Sequence, residues 1–266
     1  MHFLGLSGIL EESRRTLSGE RGFLSGSLKR FQRPGQGRFH ILATSEEFHA
    51  FQRRAAQFNV NLREQHLHLF RTYLDELWAW NEHVNITGAA TRGEVLTNLF
   101  LDSLIPGPAL PESGNLLDVG SGGGFPGIPL KIYRSGLRVD LLEVKSKRVS
   151  FLKHVIRLLH LKGIRVIRGR IEASGLVPEK NLYDVVTARA LASPRQTMLW
   201  CAPFLRKGGI LVLFLGPEAE SRLASCKRDL DRHSLVVERS ISYLLPGKKA
   251  TRKTVLVKRT DDGPVK

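Results

Sequence analysis

Two cysteines in 266 residues, Cys201 and Cys226, are too few for a disulfide framework or a thiolate zinc cluster, and they point to a reducing compartment. Long apolar runs are missing as well. The longest purely aliphatic or aromatic stretch is Ile210 to Leu215, against roughly 20 apolar residues for a bilayer span, so no transmembrane helix is expected. No signal-peptide core is evident. Acid is scarce: 25 Asp and Glu face 41 Lys and Arg, a formal charge of +16. Such an excess favours a polyanionic partner through attraction and counterion release, although a basic tail or a basic proteome gives the same number. What is present, 42% hydrophobic residues, excludes disorder throughout and suits one α/β domain with an appendage, or at most two domains.

Residues 1–44 are rich in Gly, Ser and Arg with little periodicity, and read as a flexible basic extension. Glu11, Glu12 and Glu20 argue against an organelle transit peptide. From 45 to 110 the pattern is helical: Phe48, Phe51, Ala55 and Phe58, then Leu67, Phe70, Leu74 and Leu77, recur at helical spacing. A third helix is expected over 92–104. The aromatic stripe reads as core packing rather than a base-stacking platform. Residues 111–266 alternate short apolar strands (115–119, 138–143, 164–168, 183–187, 210–215) with helices near 127–134, 146–161 and 194–204, which implies a parallel sheet covered on both faces. A charged helix at about 217–232 and a hairpin-like pair near 234–243 and 253–259 close the chain.

The first strand runs into Asp118-Val119-Gly120-Ser121-Gly122-Gly123-Gly124-Phe125-Pro126-Gly127. Glycines between a strand and a helix let the backbone turn tightly and approach a ligand. Gly122, Gly124 and Gly127 fit GxGxxG, a weak signal alone. Asp118 separates two cofactors: a carboxylate here repels the diphosphate of a dinucleotide, but attracts the ammonium group of S-adenosylmethionine. The second strand ends in Glu143, placed to accept hydrogen bonds from ribose hydroxyls. Arg168-Gly169-Arg170-Ile171-Glu172 follows the third strand and could flank an adenine edge, although a helix-starting Glu explains Glu172 equally well. Arg189 ends the fourth strand, where open α/β sheets place their active sites.

The fourth strand lacks the Asn/Asp-Pro-Pro-aromatic run of exocyclic-amine methylation. Cys201 has no proline before it and reads as packing rather than as the nucleophile that cytosine carbon-5 methylation needs. Guanine N7 has a free lone pair and asks only for positioning, so no catalytic side chain is assigned.

These residues resemble the RsmG (GidB) methyltransferases, which methylate N7 of one guanine in the 530 loop of bacterial 16S rRNA. The resemblance runs from about 65 to 216 and includes Trp80-Asn81, Asn85-Ile86-Thr87, Phe100-Leu101-Asp102-Ser103-Leu104, Asp118 to Pro129, Gly169 to Glu172 and Arg189-Ala190. It implies a class I S-adenosylmethionine-dependent methyltransferase fold: a Rossmann-like, seven-stranded, mostly parallel sheet with a small N-terminal helical cap. It also implies that Gly120, Phe125, Ile171, Glu172 and Arg189 contact the methyl donor and that Glu143 is the ribose-binding acid. The family usually has His where this chain has Leu99, and Lys-Gly where it has Leu215-Gly216. The expected partner is 16S rRNA or the small ribosomal subunit in the cytoplasm, with a monomeric chain, no metal and no membrane. Two basic clusters could grip RNA phosphates: Lys145, Lys147, Arg148, Lys153, Arg165, Arg168 and Arg170, and the later Lys248, Lys249, Arg252, Lys253, Lys258 and Arg259. Other readings are a class I methyltransferase of another RNA, a protein or a small molecule, and a non-catalytic rRNA-binding relative.

Overall fold

A computed structural model describes residues 44–172 and 183–260; the expected basic extension lies outside them apart from Thr44. Helix α1, Ser45–Ala56, starts at a reciprocal cap: Glu47 N–H donates to Thr44 Oγ1 at 3.2 Å, and Thr44 N–H donates to Glu47 Oε2 at 2.7 Å. Helix α2, Glu64–Asn81, buries Leu67, Phe70, Tyr73, Leu74 and Leu77 along one face. The helix expected over 92–104 is not uniform. It begins as α3, Arg92–Val95, widens into a π turn over Leu96–Leu101 and ends as α4, Asp102–Leu104. Widened turns release carbonyls from their usual partners and recur at functional sites. Here the Asn98 carbonyl accepts a hydrogen bond from Arg189 Nη2.

The α/β part runs β1 Ser113–Val119, α5 Gly127–Tyr133, β2 Gly136–Glu143, α6 Ser146–Leu158, β3 Ile164–Arg168, β4 Tyr183–Arg189, α7 Pro194–Cys201, β5 Leu205–Leu215, α8 Ala219–Ala224, α9 Lys227–Arg232, β6 Leu235–Tyr243 and β7 Arg252–Arg259. The seven strands lie in the order β3-β2-β1-β4-β5-β7-β6. The first five are parallel, and β7 is antiparallel to both β5 and β6. This is the expected mostly parallel sheet with a terminal hairpin.

Neighbouring strand residues serve opposite faces. Leu116, Val139, Leu141 and Val185 join α1, α2, α5 and α6 in one apolar cluster, whereas Leu117, Leu142, Val186 and Leu211 join α7 and the β6–β7 end in another. The aromatic stripe of the helical segment is core, as expected: Phe48, Phe51, Phe70 and Phe100 are all buried.

Two further elements depart from the sequence reading. The 217–232 helix is two short helices, because the Ser225 hydroxyl and the Cys226 thiol both donate to the Arg222 carbonyl and compete with helical pairing at that turn. Strand β5 begins five residues earlier than expected, carrying Gly208-Gly209 in a bulge opposite Tyr183 and Val185. Among the described residues no helix is long and apolar enough to cross a membrane.

Candidate functional site

The strand order reverses between β1 and β4, which opens a crevice at their carboxyl ends. Register sets Asp118 opposite Thr187 and Val119 opposite Ala188, so the glycine turn and Arg189 leave the sheet side by side.

Asp118 does not face this crevice. It is fully buried, and its oxygens accept from Thr187 Oγ1 at 2.8 Å and Gly127 N–H at 3.1 Å. Burial pushes its carboxyl up to about 6, opposed by the hydrogen bonds from Thr187, Gly127 and Ser121 and by the charge of Arg189. Asp118 therefore ties β1, β4 and the start of α5 together, and its charge reaches a ligand through the turn rather than by contact.

The turn itself is held from two sides. Gly122 N–H donates to Glu143 Oε2 at 2.8 Å, and Lys145 N–H donates to Glu143 Oε1 at 2.8 Å. The opposite side is anchored by the Tyr73 hydroxyl, which donates to the Gly123 carbonyl. Gly124 has φ +98°, and a Cβ there would meet both Ile128 Cδ1 and Tyr73 Oη at 2.6 Å. Gly122 has φ +59° and is half-buried, and a Cβ there would touch only Arg148 Nη1 and the Gly120 carbonyl oxygen, each at 3.8 Å, so its backbone is a cradle that a side chain would fill. Glu143 is buried with two backbone donors already in place; a carboxylate has lone pairs for about two more.

The remaining candidates divide. Phe125 is buried and stacked on Tyr73 at 5.7 Å, so its side chain belongs to the core. Ile171 is buried at the edge of the second apolar cluster, and Glu172 is exposed beside it. Gly169 N–H is spent on the Glu143 carbonyl at 3.1 Å. Cys201 is buried, and burial raises its thiol, which fits packing and leaves no thiolate.

Arg189 sits in a buried ionic network that the sequence reading missed. Asp102 Oδ2 lies 3.2 Å from Arg189 Nη2 and accepts from Arg252 Nη1 at 2.9 Å, while Asp102 Oδ1 accepts from Tyr243 Oη at 2.7 Å. Burial lowers the Arg189 guanidinium, with Asp102 opposing and Arg252 reinforcing. Two guanidiniums thus share one carboxylate, and the cluster keeps an excess of positive charge. Arg189 Nη1 and Asn98 Oδ1 are both buried without a hydrogen-bond partner. An unpaired donor and an unpaired acceptor on residues already bonded to each other are costly unless a ligand completes them. Their signs match an α-amino acid end: carboxylate to the guanidinium, ammonium to the amide oxygen.

The family model for GidB, rRNA small subunit methyltransferase G, matches residues 66–249. The chain belongs to this family. Curated relatives include Ribosomal RNA small subunit methyltransferase G of Acetivibrio thermocellus, 34% identical over 214 residues that cover 80% of this chain and 88% of that one. The protein of the same name from Lactobacillus acidophilus is 36% identical over 218 residues, 79% and 90% of the two chains. A crystal structure of a predicted O-methyltransferase from Agrobacterium tumefaciens covers 61% of this chain and 82% of its own with a TM-score of 0.50 at 16% identity, a likeness of fold alone. Membership makes the chain a methyltransferase, and its sheet is the class I arrangement expected. Among the described residues no group of His, Cys, Asp and Glu could hold a metal ion.

Proposed function

We propose that the protein transfers a methyl group from S-adenosylmethionine to N7 of a guanine in the 530 loop of 16S rRNA, acting in the cytoplasm on that RNA or on the small subunit. Support for the nucleic acid comes from the family and from the +16 charge. The observation that carries the cofactor is the unpaired couple of Arg189 Nη1 and Asn98 Oδ1 beside an open glycine cradle. When bound, S-adenosylmethionine supplies an electrophilic methyl on a sulfonium centre. The Gly120–Gly124 backbone would hold its body, Glu143 its ribose hydroxyls, Ile171 and Glu172 its adenine side, and Arg189 with Asn98 its amino acid end.

The chemistry asks little more of the chain. The guanine N7 already carries a free lone pair, so the chain would need only to hold the base in line with the donor's methyl. No proton leaves the base, so this acceptor asks for no general base in the crevice. Holding the two reactants in line supplies up to about 7–11 kcal/mol. Incubation with labelled cofactor and 16S rRNA or 30S subunits, followed by mapping of modified bases, tests the reading. Label at N7 of a guanine in the 530 loop is expected, and label on another base or on a small molecule alone would overturn it.

A further inference from the structure

Arg189 is aimed by residues outside the set assigned to the cofactor. Its Nη2 is held by the Asn98 carbonyl and by Asp102 Oδ2, while Nη1 is left without a partner. The plane of the guanidinium therefore follows the direction of the Asp102 carboxylate. That carboxylate is pinned in turn from the C-terminal hairpin: Tyr243 Oη on β6 lies 2.7 Å from Oδ1, and Arg252 Nη1 on β7 lies 2.9 Å from Oδ2. Register sets Tyr243 opposite Arg252 and Ile241 opposite Thr254, so one face of the hairpin brings Tyr243, Arg252 and Thr254 together. Arg252, which the sequence groups with phosphate-gripping cations, is drawn inward to Asp102 instead.

Chemistry fixes the order of donors along this route. A carboxylate only accepts, so the Tyr243 phenol gives its proton to Asp102, and the Thr254 hydroxyl, 3.1 Å away, donates to the phenol oxygen. Burial and the Asp102 charge both push the phenol up, which keeps it a donor. The Tyr243 ring is 5% exposed and packs edge-to-face on Phe58 at 6.0 Å, a contact that holds it in place. A continuous route thus runs from Thr254 through Tyr243 and Asp102 to Arg189, joining β7, β6, α4 and β4. Without the phenol, Asp102 Oδ1 loses its 2.7 Å donor, and two guanidiniums compete for Oδ2 alone. A plain staple between the hairpin and α4 would be no weaker in hydrocarbon, because a buried ionic cluster with an unpaired guanidinium nitrogen adds little to stability. What the cluster does supply is a fixed direction for Arg189.

We propose that Tyr243 is a positioning residue for the methyl donor: acting through Asp102, it holds Arg189 with Nη1 turned toward the carboxylate of the donor's amino acid end. The proposal rests on the reading of the crevice as an S-adenosylmethionine site. It deepens that reading by giving the C-terminal hairpin, which carries none of the residues assigned to the cofactor, a part in selecting ligands with a free α-carboxylate. A ligand without that end gains nothing from the aim of Arg189.

The test compares wild type, Tyr243→Phe and the control Tyr183→Phe. In the control another buried phenol loses a 2.7 Å hydrogen bond to a carboxylate, that of Asp140, at the start of β4 and so at the end of the strand away from the crevice. Calorimetry measures the affinity of each protein for S-adenosylmethionine and for methylthioadenosine, which keeps the nucleoside and the sulfur but has no amino acid end. Tyr243→Phe binds S-adenosylmethionine about tenfold more weakly, the equivalent of one hydrogen bond to a charged group, and binds methylthioadenosine as wild type does. Tyr183→Phe matches wild type for both ligands. An equal loss for both ligands in Tyr243→Phe overturns the proposal, because Tyr243 is then a support of the whole crevice. An unchanged affinity for S-adenosylmethionine, or the same selective loss in the control, overturns it too. A wild type that binds neither ligand, or both equally, defeats the cofactor reading itself and the proposal with it, a result visible before any variant is measured.

Discussion

Replacing Asp118 by Asn should make the ligand-free protein more stable at neutral pH, and increasingly so as pH rises. The folded protein holds the Asp118 proton up to about 6 instead of the ordinary 3.8, chiefly because burial disfavours the charge. Between those two values the unfolded chain is ionised while the folded chain still binds a proton, so stability falls as pH rises through the window. Above about 6 both states are ionised and the full cost remains. A difference of about two pH units, at about 1.4 kcal/mol each, amounts to about 3 kcal/mol. Asparagine keeps the shape and both partners: its oxygen can accept from Gly127 N–H, and its amide can donate to Thr187 Oγ1. Urea unfolding of wild type and Asp118→Asn at intervals from pH 4 to pH 8 reads the effect. The gap in favour of the variant should grow across pH 4–6 and level off near about 3 kcal/mol above that. A gap that is independent of pH would refute the argument that desolvation, rather than geometry, governs this carboxylate. The same variant should bind S-adenosylmethionine more weakly in calorimetry, because a negative charge near the ammonium has been lost.

Three other substitutions address the supports of the turn. Tyr73→Phe keeps the buried ring but leaves the Gly123 carbonyl without its donor, and should cost about 1–2 kcal/mol in urea unfolding together with a several-fold loss of cofactor affinity by calorimetry. Gly124→Ala forces a side chain into left-handed backbone and against Ile128 and Tyr73; a loss of roughly 2–5 kcal/mol is expected in thermal or urea unfolding. Asp102→Ala leaves Arg189 and Arg252 without their shared carboxylate and should destabilise by about 3–5 kcal/mol in the same measurement. Wild-type stability in either of the last two would contradict the packing and charge arguments respectively.

The parts of this protein that are legible in the sequence are those with a local physical cause. Apolar strands alternating with helices mark the parallel sheet, and the Gly120–Gly124 run marks the turn, because both follow from backbone and burial rules over a few residues. The fate of the Asp118 carboxylate is not local: its partner Thr187 lies 69 positions away, and only the register of β1 on β4 brings them together. The Asp102 network joins residues up to 150 positions apart, so no window of sequence contains it. The one available signal was Asp102 within the Phe-Leu-Asp-Ser-Leu run, an acid in an otherwise apolar helical stretch. Gly208-Gly209 falls just before the strand expected over 210–215, but the second of them has no space for a Cβ between the backbones of Arg206 and Tyr183, which is a bulge inside a longer strand.

The helical segment before β1 therefore does more than cover one face of the sheet. Tyr73 from α2 bonds the glycine turn, and Ile86 from the loop after α2 packs so closely on Gly123 that a Cβ there would lie 2.9 Å from it. The π turn presents the Asn98 carbonyl to Arg189, and Asp102 supplies the only carboxylate salt-bridged to Arg189 among the described residues. A turn with several left-handed glycines costs conformational entropy to order, and a half-satisfied ionic cluster is unfavourable in isolation. Both are held by the aromatic core of Phe51, Phe70, Tyr73 and Phe100, which is buried and contiguous with the sheet. Loosening that core should thus weaken cofactor binding before it unfolds the sheet, since the turn and Arg189 depend on these helices and the strand pairing does not.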